Sequence, residues 1–361
     1  SGVWIMAYTT IDDPSAHFQV TSYSGNGSTQ AVVNAGNSDL QPDWVWIKER
    51  NNAVSSRIFD SSRGVQKRMF TNNTDAESTQ SNSLTAFSSD GFSLGDSGSV
   101  NGGSDTYIAM LWKANGGSTT TNDASATSVG TIDSVYQANT TAGFSIVTHT
   151  GSGSAGNIAH GLGAVPEWVL TKNRDTAASW ANYHVGLGAE YYLELDTQDA
   201  REAGSSVWGD TTPSSTTFRV GGANTKTNSS SDNFVSYCFT PIQGYSKFDS
   251  YIGNANADGP FVYTGFKPAW VMLRNIIDGE DFLFWSNTLD KVKSSGNPMT
   301  GRLKANDNIA EVNGNDIDFL SNGFKIRTDS GYANGDGNTI LYMAFAEHPF
   351  VSSKGVHVTA R

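Results

Sequence analysis

The sequence is poor in the residue types that define several common classes of protein. Only one of its 361 residues is a cysteine, Cys238, which excludes internal disulfides and cysteine-based zinc sites. Lysine and arginine number 23 against 35 acidic residues, a net charge of −12. This balance argues against a nucleic-acid partner, because such affinity comes mainly from basic contacts to phosphates. No apolar run approaches the roughly 18 residues of a membrane-spanning helix, so we expect no membrane insertion.

Charged side chains are also scarce, at 16% of the chain, and so are the helix formers leucine, glutamate and lysine. Serine, threonine, asparagine and 38 glycines take their place. Short runs of β-branched and aromatic residues alternate with clusters of glycine, asparagine, aspartate and serine, as is typical of strands and turns. A hydrophobic share of 37% is enough for a packed core. The composition therefore predicts an all-β protein.

Several short blocks of sequence occur three times in the same order. The distance from the proline of the first block to the phenylalanine of the second is 50, 52 and 56 residues. From that phenylalanine to the closing aromatic residue it is 20, 21 and 21 residues, so chance is a poor explanation. The three versions of each block are Pro42–Lys48, Pro166–Lys172 and Pro268–Arg274; Asp90–Leu94, Thr217–Val220 and Asn322–Ile326; and Tyr107–Trp112, Phe234–Phe239 and Ile340–Phe345.

The blocks divide the chain into three homologous units, 17–116, 144–243 and 244–350. About seven short strands per unit, with frequent turns, predict three tandem β-sandwich domains of jelly-roll-like type. The strand opened by Trp44, and its equivalents at Trp168 and Trp270, should be buried on both faces, because its apolar residues are consecutive.

The remaining segments connect or flank the three units. Residues 117–143 are rich in glycine, serine, threonine and aspartate, and we expect a flexible linker with a short strand ending near Tyr136. This favours a separable first unit; the alternative is packing of all three units around a common axis. Residues 1–16 and 351–361 form an N-terminal segment and a polar C-terminal tail. The chain opens with Ser1-Gly2 and shows no signal peptide, which indicates a processed end, an expression remnant or a fragment boundary.

Five stretches together resemble a repeated β-domain of unknown function found in structural proteins of tailed bacteriophages, notably those that infect marine bacteria. The resemblance covers nearly the whole chain and implies a virion component, such as a tail fibre or another adhesive protein. It implies no catalytic residues. The stretches are Ile11–Phe18, Ser24–Thr29, His160–Pro166, Gly244–Phe248 and Met343–Phe350, with Ala360-Arg361 closing the chain.

No arrangement of residues in the sequence predicts catalysis. The six histidines form no metal-binding or triad motif, and no nucleotide-binding fingerprint is present. Glu194 and Asp196, two residues apart on a predicted strand, are a carboxylate pair of the kind that glycosidases need. Asp196 aligns with asparagines in the other units, so a structural role is the preferred interpretation. No catalytic residues, metal or cofactor are predicted.

Two features are candidates for ligand binding. Trp208 lies in a polar stretch without a counterpart in the other units, which makes it the best candidate for an exposed aromatic platform; the alternative is a buried side chain. The loop Asp329–Gly337 is rich in oxygen ligands, which suits calcium, but it lacks the spacing of a known calcium loop, and a hairpin turn explains it equally well.

We therefore expect a non-enzymatic protein of the virion surface that is extracellular and attaches to a host glycan or protein. Dense serine, threonine and asparagine suit hydrogen bonding to sugars. Other virion proteins are expected partners, and a homo-oligomer such as a trimer is compatible with this role. The alternatives are a purely structural capsid or tail decoration protein and a glycan-degrading tail spike.

Overall fold

A computed structural model describes residues 7–289 and 296–357 of the chain. Strands make up 43% of it and helices 6%, which confirms the all-β prediction.

Each unit contributes one group of strands. The first group is β1 (Phe18–Ser24), β2 (Gln30–Val33), β3 (Trp44–Glu49), β4 (Arg57–Asp60), β5 (Lys67–Phe70), β6 (Ser78–Thr79), β7 (Leu84–Ser88), β8 (Gly91–Leu94) and β9 (Thr106–Trp112). Two strands follow before the second unit, β10 (Thr120–Asn122) and β11 (Ser134–Asn139).

The second group is β12 (Phe144–Thr150), β13 (Gly156–Ala159), β14 (Trp168–Asn173), β15 (Ala181–His184), β16 (Tyr191–Glu194), β17 (Glu202–Ala203), β18 (Thr217–Val220) and β19 (Asn233–Phe239). The third is β20 (Ser246–Ile252), β21 (Phe261–Tyr263), β22 (Phe266–Asn275), β23 (Leu283–Ser286), β24 (Met299–Lys304), β25 (Val312–Leu320), β26 (Gly323–Ile326) and β27 (Thr339–Pro349). Short helices span Pro14–Ala16, Gly98–Asn101, Ala124–Thr127, Ser205–Trp208 and Gly331–Asn334.

One order of strands recurs in the three main sheets. The first unit has β1-β9-β3-β4-β5, the second β12-β19-β14-β15-β16 and the third β20-β27-β22-β23-β24. The register is equivalent too, because the equivalent tryptophan in the third strand of this order always pairs with the closing aromatic residue of the second. These pairs are Trp44 with Trp112, Trp168 with Phe239 and Trp270 with Phe345.

The three main sheets enclose one central core. Trp44 and Trp168 are fully buried in the same cluster as Trp270, together with the closing aromatic residues of all three units. The rings make contacts between units: Trp44 stacks on Tyr237 with centroids 4.5 Å apart, and Trp112 meets Trp270 edge-on at 6.0 Å. The core is therefore shared between the units.

The opposite face of each main sheet covers a smaller outer core. Strands alternate their side chains, so Trp44 and Trp46 point to the central core while Val45 and Ile47 point outward. The outer sheets are β2-β8-β7, β13-β18 and, in the third unit, β25-β26-β21. The predicted burial of β3 on both faces is confirmed.

Equivalent cations join each unit to the next. A buried lysine or arginine, four residues after the strand tryptophan, donates from its side chain to a backbone carbonyl of the adjacent unit. The donors and acceptors are Lys48 and Asp307, Lys172 and Thr74, and Arg274 and Asp199. The contacts run in a circle from the first unit to the third, the third to the second and the second to the first.

A buried charge network also seals the contact of the first two units. Arg63 and Asp60 form an ion pair with fully buried side chains, and the Tyr237 hydroxyl donates to Asp60 at 2.6 Å. Glu77 receives both Arg63 and, from the second unit, Arg174, each at 3.0 Å. A buried pair loses stability when one partner is removed, so this network favours a fixed arrangement.

Residues 117–143 contain more structure than the expected linker with one short strand. β10 pairs with β11, and β11 pairs with β12 along its whole length, so the segment extends the main sheet of the second unit. Gln137 in β11 donates to the hydroxyls of Ser61 and Ser62 in the first unit. The expectation of a flexible connection to a separable first unit was therefore wrong, because the segment and the central core both bind the units together.

The described parts of the two terminal segments, residues 7–16 and 351–357, contact each other. Ile11 is buried in the central core, and Asp12 accepts a hydrogen bond of 2.6 Å from the Ser353 amide. Val351 and His357 form a single antiparallel bridge. The polar character predicted for the C-terminal tail fits its exposed residues up to His357.

Candidate functional site

Two aromatic side chains lie exposed on the outer sheet of the third unit. Phe261 and Tyr263 are each 47% exposed, whereas Val262 between them is buried in the outer core. Residues two apart in a strand point to the same face, about 7 Å from each other. Strand β21 therefore presents two aromatic rings side by side.

The neighbouring strand sets the shape of this face. Gly323 lies opposite Tyr263, and a side chain at Gly323 would place its Cβ 2.0 Å from the Val262 carbonyl oxygen. Lys325 lies opposite Phe261 and so shares its face. Its amine contacts Asp258 at 2.7 Å and donates to the Gly259 carbonyl at 2.8 Å. Polar groups thus border the rings without covering them.

Two further side chains hold Tyr263 in place. The hydroxyls of Tyr8 and Tyr263 lie 3.1 Å apart, and Tyr8 also donates to the Gly265 carbonyl at 2.8 Å. Burial and the contact with Tyr263 keep the pKa of Tyr8 well above its usual value, so its hydroxyl stays neutral. Lys247 donates to the Tyr263 carbonyl at 2.9 Å and places its amine 5.9 Å from the centre of that ring.

The other two units lack this aromatic pair. By strand register, Phe261 and Tyr263 correspond to Ala31 and Val33 in the first unit and to Asn157 and Ala159 in the second. The fold itself does not require aromatic rings at these positions. We name Phe261 and Tyr263 the aromatic face.

Trp208, the aromatic platform expected from the sequence, is 2% exposed, so the expected exposure was wrong. It ends the short helix Ser205–Trp208. Gly209 follows in the left-handed region, at φ +57°, and the turn directs Trp208 into the outer core against Tyr183. The Val207 carbonyl accepts from the Gly221 amide as the Ser83 carbonyl does from Gly95, so Trp208 corresponds to Leu84, which is buried in the outer core of the first unit.

The loop Asp329–Gly337 is organised by an asparagine. Asn334 is fully buried and donates to Asn254, Asn256 and Thr328, while its own oxygen accepts from the Asn254 amide. Asn101 in the first unit and Asn228 in the second are also fully buried. Their side chains form hydrogen bonds with the backbone of the equivalent loops. The interpretation as a hairpin turn was wrong, because β26 pairs with β25 and β21 while β27 pairs with β20 and β22, and the loop contains the short helix Gly331–Asn334.

The carboxylates considered for catalysis have separate partners. Asp196 accepts from the Trp180 amide at 2.8 Å, whereas Glu194 contacts Lys226 at 3.2 Å. Within the described ranges, Glu194 also belongs to a carboxylate group with Asp199 and Glu202. The group is mostly exposed, and Glu202 accepts from the Tyr192 hydroxyl at 2.6 Å.

Three histidines are structural. His149, His160 and His184 each place Nε2 within 3.2 Å of a backbone carbonyl. Burial lowers the pKa of each to about 4, so they are neutral at pH 7. His160 also accepts from the Leu162 amide through Nδ1 at 3.2 Å.

The fold and these contacts define an all-β protein with one shared core and an exposed aromatic face. The chain belongs to the family described as a domain of unknown function, DUF7483, whose model matches residues 13–349. A single match thus spans all three units. No curated protein matches the chain. Among the described residues, no helix is long and apolar enough to cross a membrane.

Proposed function

We propose that this protein is a non-enzymatic component of a bacteriophage virion surface, a tail fibre or similar adhesin, which binds a host glycan through the aromatic face. The observation that carries this proposal is the exposure of Phe261 and Tyr263 on one strand of one unit. Aromatic rings are amphipathic surfaces that bind at low entropic cost. Lys325 and Asp258 at the border are suited to hydrogen bonding with sugar hydroxyls.

The phage assignment is supported by the resemblance of the sequence to phage structural proteins. We also propose that the three units are homologous β-sandwiches that have become one body. The recurring strand order and register support this, as do the equivalent cations that join neighbouring units.

Glycan-array binding by the full chain tests the proposed function. The double variant Phe261→Ala/Tyr263→Ala should bind at least about tenfold more weakly, a loss of about 1.4 kcal/mol. Val33→Ala is the matched control, because Val33 is 64% exposed at the position equivalent to Tyr263. Val33→Ala should keep the melting temperature of the unmodified chain, since exposed substitutions change stability little. The double variant loses half-buried ring surface and the Tyr8 contact, and it should melt slightly lower but still in one cooperative transition.

Three outcomes would overturn the proposal. Equal glycan binding by the double variant would remove the aromatic face as the site. Binding to purified virion proteins, with none to glycans, would favour the purely structural alternative. Release of sugar from host polysaccharide would favour the glycan-degrading spike.

A further inference from the structure

An open groove runs along the free edge of β1, where the first and third units meet. Its volume is about 440 Å³. The floor is β1 from Phe18 to Ser22, one wall is the loop 33–37, and the other wall comes from the third unit, including Asn287 and Thr288. Five residues of strand extend about 17 Å, so the groove has the length of a short extended peptide.

The edge of β1 offers backbone hydrogen-bonding groups to this groove. The Thr288 hydroxyl donates to the Val20 carbonyl at 3.1 Å, so that carbonyl points away from β9. The amide and carbonyl of one residue point to the same edge of an antiparallel strand, and the direction alternates along it. Ser22 therefore points its amide and carbonyl into the groove as well.

The equivalent edge in the second unit is occupied by a strand of the chain itself. There β11 pairs with β12, and Gln137 lies opposite Ile146, the residue equivalent to Val20. In contrast, β1 and β20 end their sheets within the described part of the chain. The molecule thus contains a filled example of the groove that is open beside β1.

The wall of the filled groove also has a counterpart beside β1. The side chain of Gln137 donates to Ser61 and Ser62, the two residues that follow β4, at 2.8 and 2.6 Å. Asn287 and Thr288 follow β23, the equivalent strand of the third unit. If a strand is added to β1, the residue that pairs with Val20 takes the position of Gln137. Its side chain would then lie next to Asn287 and Thr288.

The open groove is firmly built and acidic. Gln19 holds one wall, since its amide donates to the carbonyls of Ser15 and Ser38 and accepts from the Gly36 amide. Burial alone would raise the pKa of Asp13, but hydrogen bonds from Ser15 and Ser38 outweigh it and lower the pKa, so Asp13 is ionised at neutral pH. Glu347 also lines the groove, but its carboxylate pairs with Lys267 at 2.8 Å, so the negative charge of the lining comes from Asp13. No lysine or arginine of the described residues lines the groove.

We propose that this groove binds an extended segment of another polypeptide, which pairs antiparallel with β1 and carries a lysine or arginine at the position of Gln137. The acidic lining favours a basic partner over a second copy of this chain, whose net charge is −12. The groove is separate from the aromatic face, so this inference goes beyond glycan binding.

A peptide with the sequence pattern of β11 tests the inference. The probe is Ser-Val-Tyr-Lys-Ala-Asn with blocked ends, in which lysine replaces the residue equivalent to Gln137, added to the isotope-labelled full chain. Amide shifts should change at Val20–Ser22 and in the loop 33–37. N-methylation of the peptide at its lysine or valine, opposite Val20 and Ser22, should weaken binding at least about tenfold. N-methylation at its tyrosine or alanine is the matched control and should have little effect.

Charge supplies a second criterion. The lysine peptide should bind more tightly than the glutamine peptide at low salt, and the difference should shrink as salt increases.

Several results would overturn the inference. These are an absence of shifts along β1 at millimolar peptide, an equal effect of both N-methylation patterns, or a preference for glutamine at low salt. Changed β1 shifts on deletion of residues 358–361 would show the chain's own end in the groove. Concentration-dependent self-association that blocks the peptide would show a second copy there. The double variant Phe261→Ala/Tyr263→Ala is altered only at the aromatic face, so it should bind the peptide as the unmodified chain does even if it loses glycan binding. The two proposals can therefore fail independently.

Discussion

Substitution of Trp168 by alanine should show whether one unit can unfold without the others. Trp168 is fully buried, stacks on Phe239 at 4.5 Å and lies 5.9 Å from Phe248 of the third unit. Its indole donates to Asn182 at 3.0 Å. Loss of the ring costs about 3–5 kcal/mol, and the unpaired Asn182 oxygen adds about 1–3 kcal/mol. We take about 5 kcal/mol as the total.

The fall in melting temperature depends on the size of the cooperative unit. Unfolding entropy is about 2.1 cal/mol/K per residue, so 361 residues give about 0.76 kcal/mol/K and a fall of about 7 °C. A unit of about 100 residues that melted alone would give about 0.21 kcal/mol/K and a fall of about 24 °C. The shared core predicts the smaller fall, with all of the signal lost together.

Calorimetry and circular dichroism on Trp168→Ala would make this measurement. Trp208→Phe is a suitable control, since it keeps an aromatic ring in the outer core and the Trp208 indole nitrogen has no hydrogen-bond partner among the described residues. A transition carrying about a third of the enthalpy that moves down by more than about 20 °C, with the rest unchanged, would refute the shared core.

Three further predictions concern charge and connectivity. Glu77→Gln should cost about 1–3 kcal/mol of unfolding free energy in chemical denaturation, because Arg63 and Arg174 lose a charged acceptor while Asp60 still pairs with Arg63; a loss below about 0.5 kcal/mol would contradict the network. Melting temperature should fall as pH drops from 6.5 to 4, because the unfolded chain then binds protons that buried His149, His160 and His184 do not bind in the folded chain. Each histidine should lower the free energy of unfolding by roughly 3 kcal/mol at pH 4. A melting temperature that stays constant over this range would contradict their burial. Limited proteolysis should yield no early fragment that begins within 117–143, because its strands are paired; such a fragment would restore the linker interpretation.

The sequence predicted the strands better than their assembly. The repeated blocks fall on equivalent strands, and consecutive apolar residues such as Trp44 and Val45 correctly indicate burial on both faces. Such a pattern gives no information on which surface covers each face. The shared core depends on contacts between residues far apart in the chain, such as Trp112 and Trp270, and these leave no local pattern.

Exposure of individual aromatic residues was harder to predict. Trp208 has polar neighbours in sequence, yet it is buried in the outer core at the position that Leu84 takes in the first unit. Phe261 and Tyr263 alternate with Val262 as in any half-buried strand, and the sequence alone does not show which side faces the core. The available signal was the comparison between units, in which alanine and valine stand at these two positions in the first unit.

Differential scanning calorimetry of the unmodified chain tests the shared core most directly. At about 0.7 kcal/mol per residue, 361 residues that unfold together near 60 °C give an enthalpy of about 250 kcal/mol. One transition whose van't Hoff enthalpy equals this calorimetric value is the predicted result. Two or three transitions, or a van't Hoff enthalpy near the 70 kcal/mol or so of a single 100-residue unit, would contradict it.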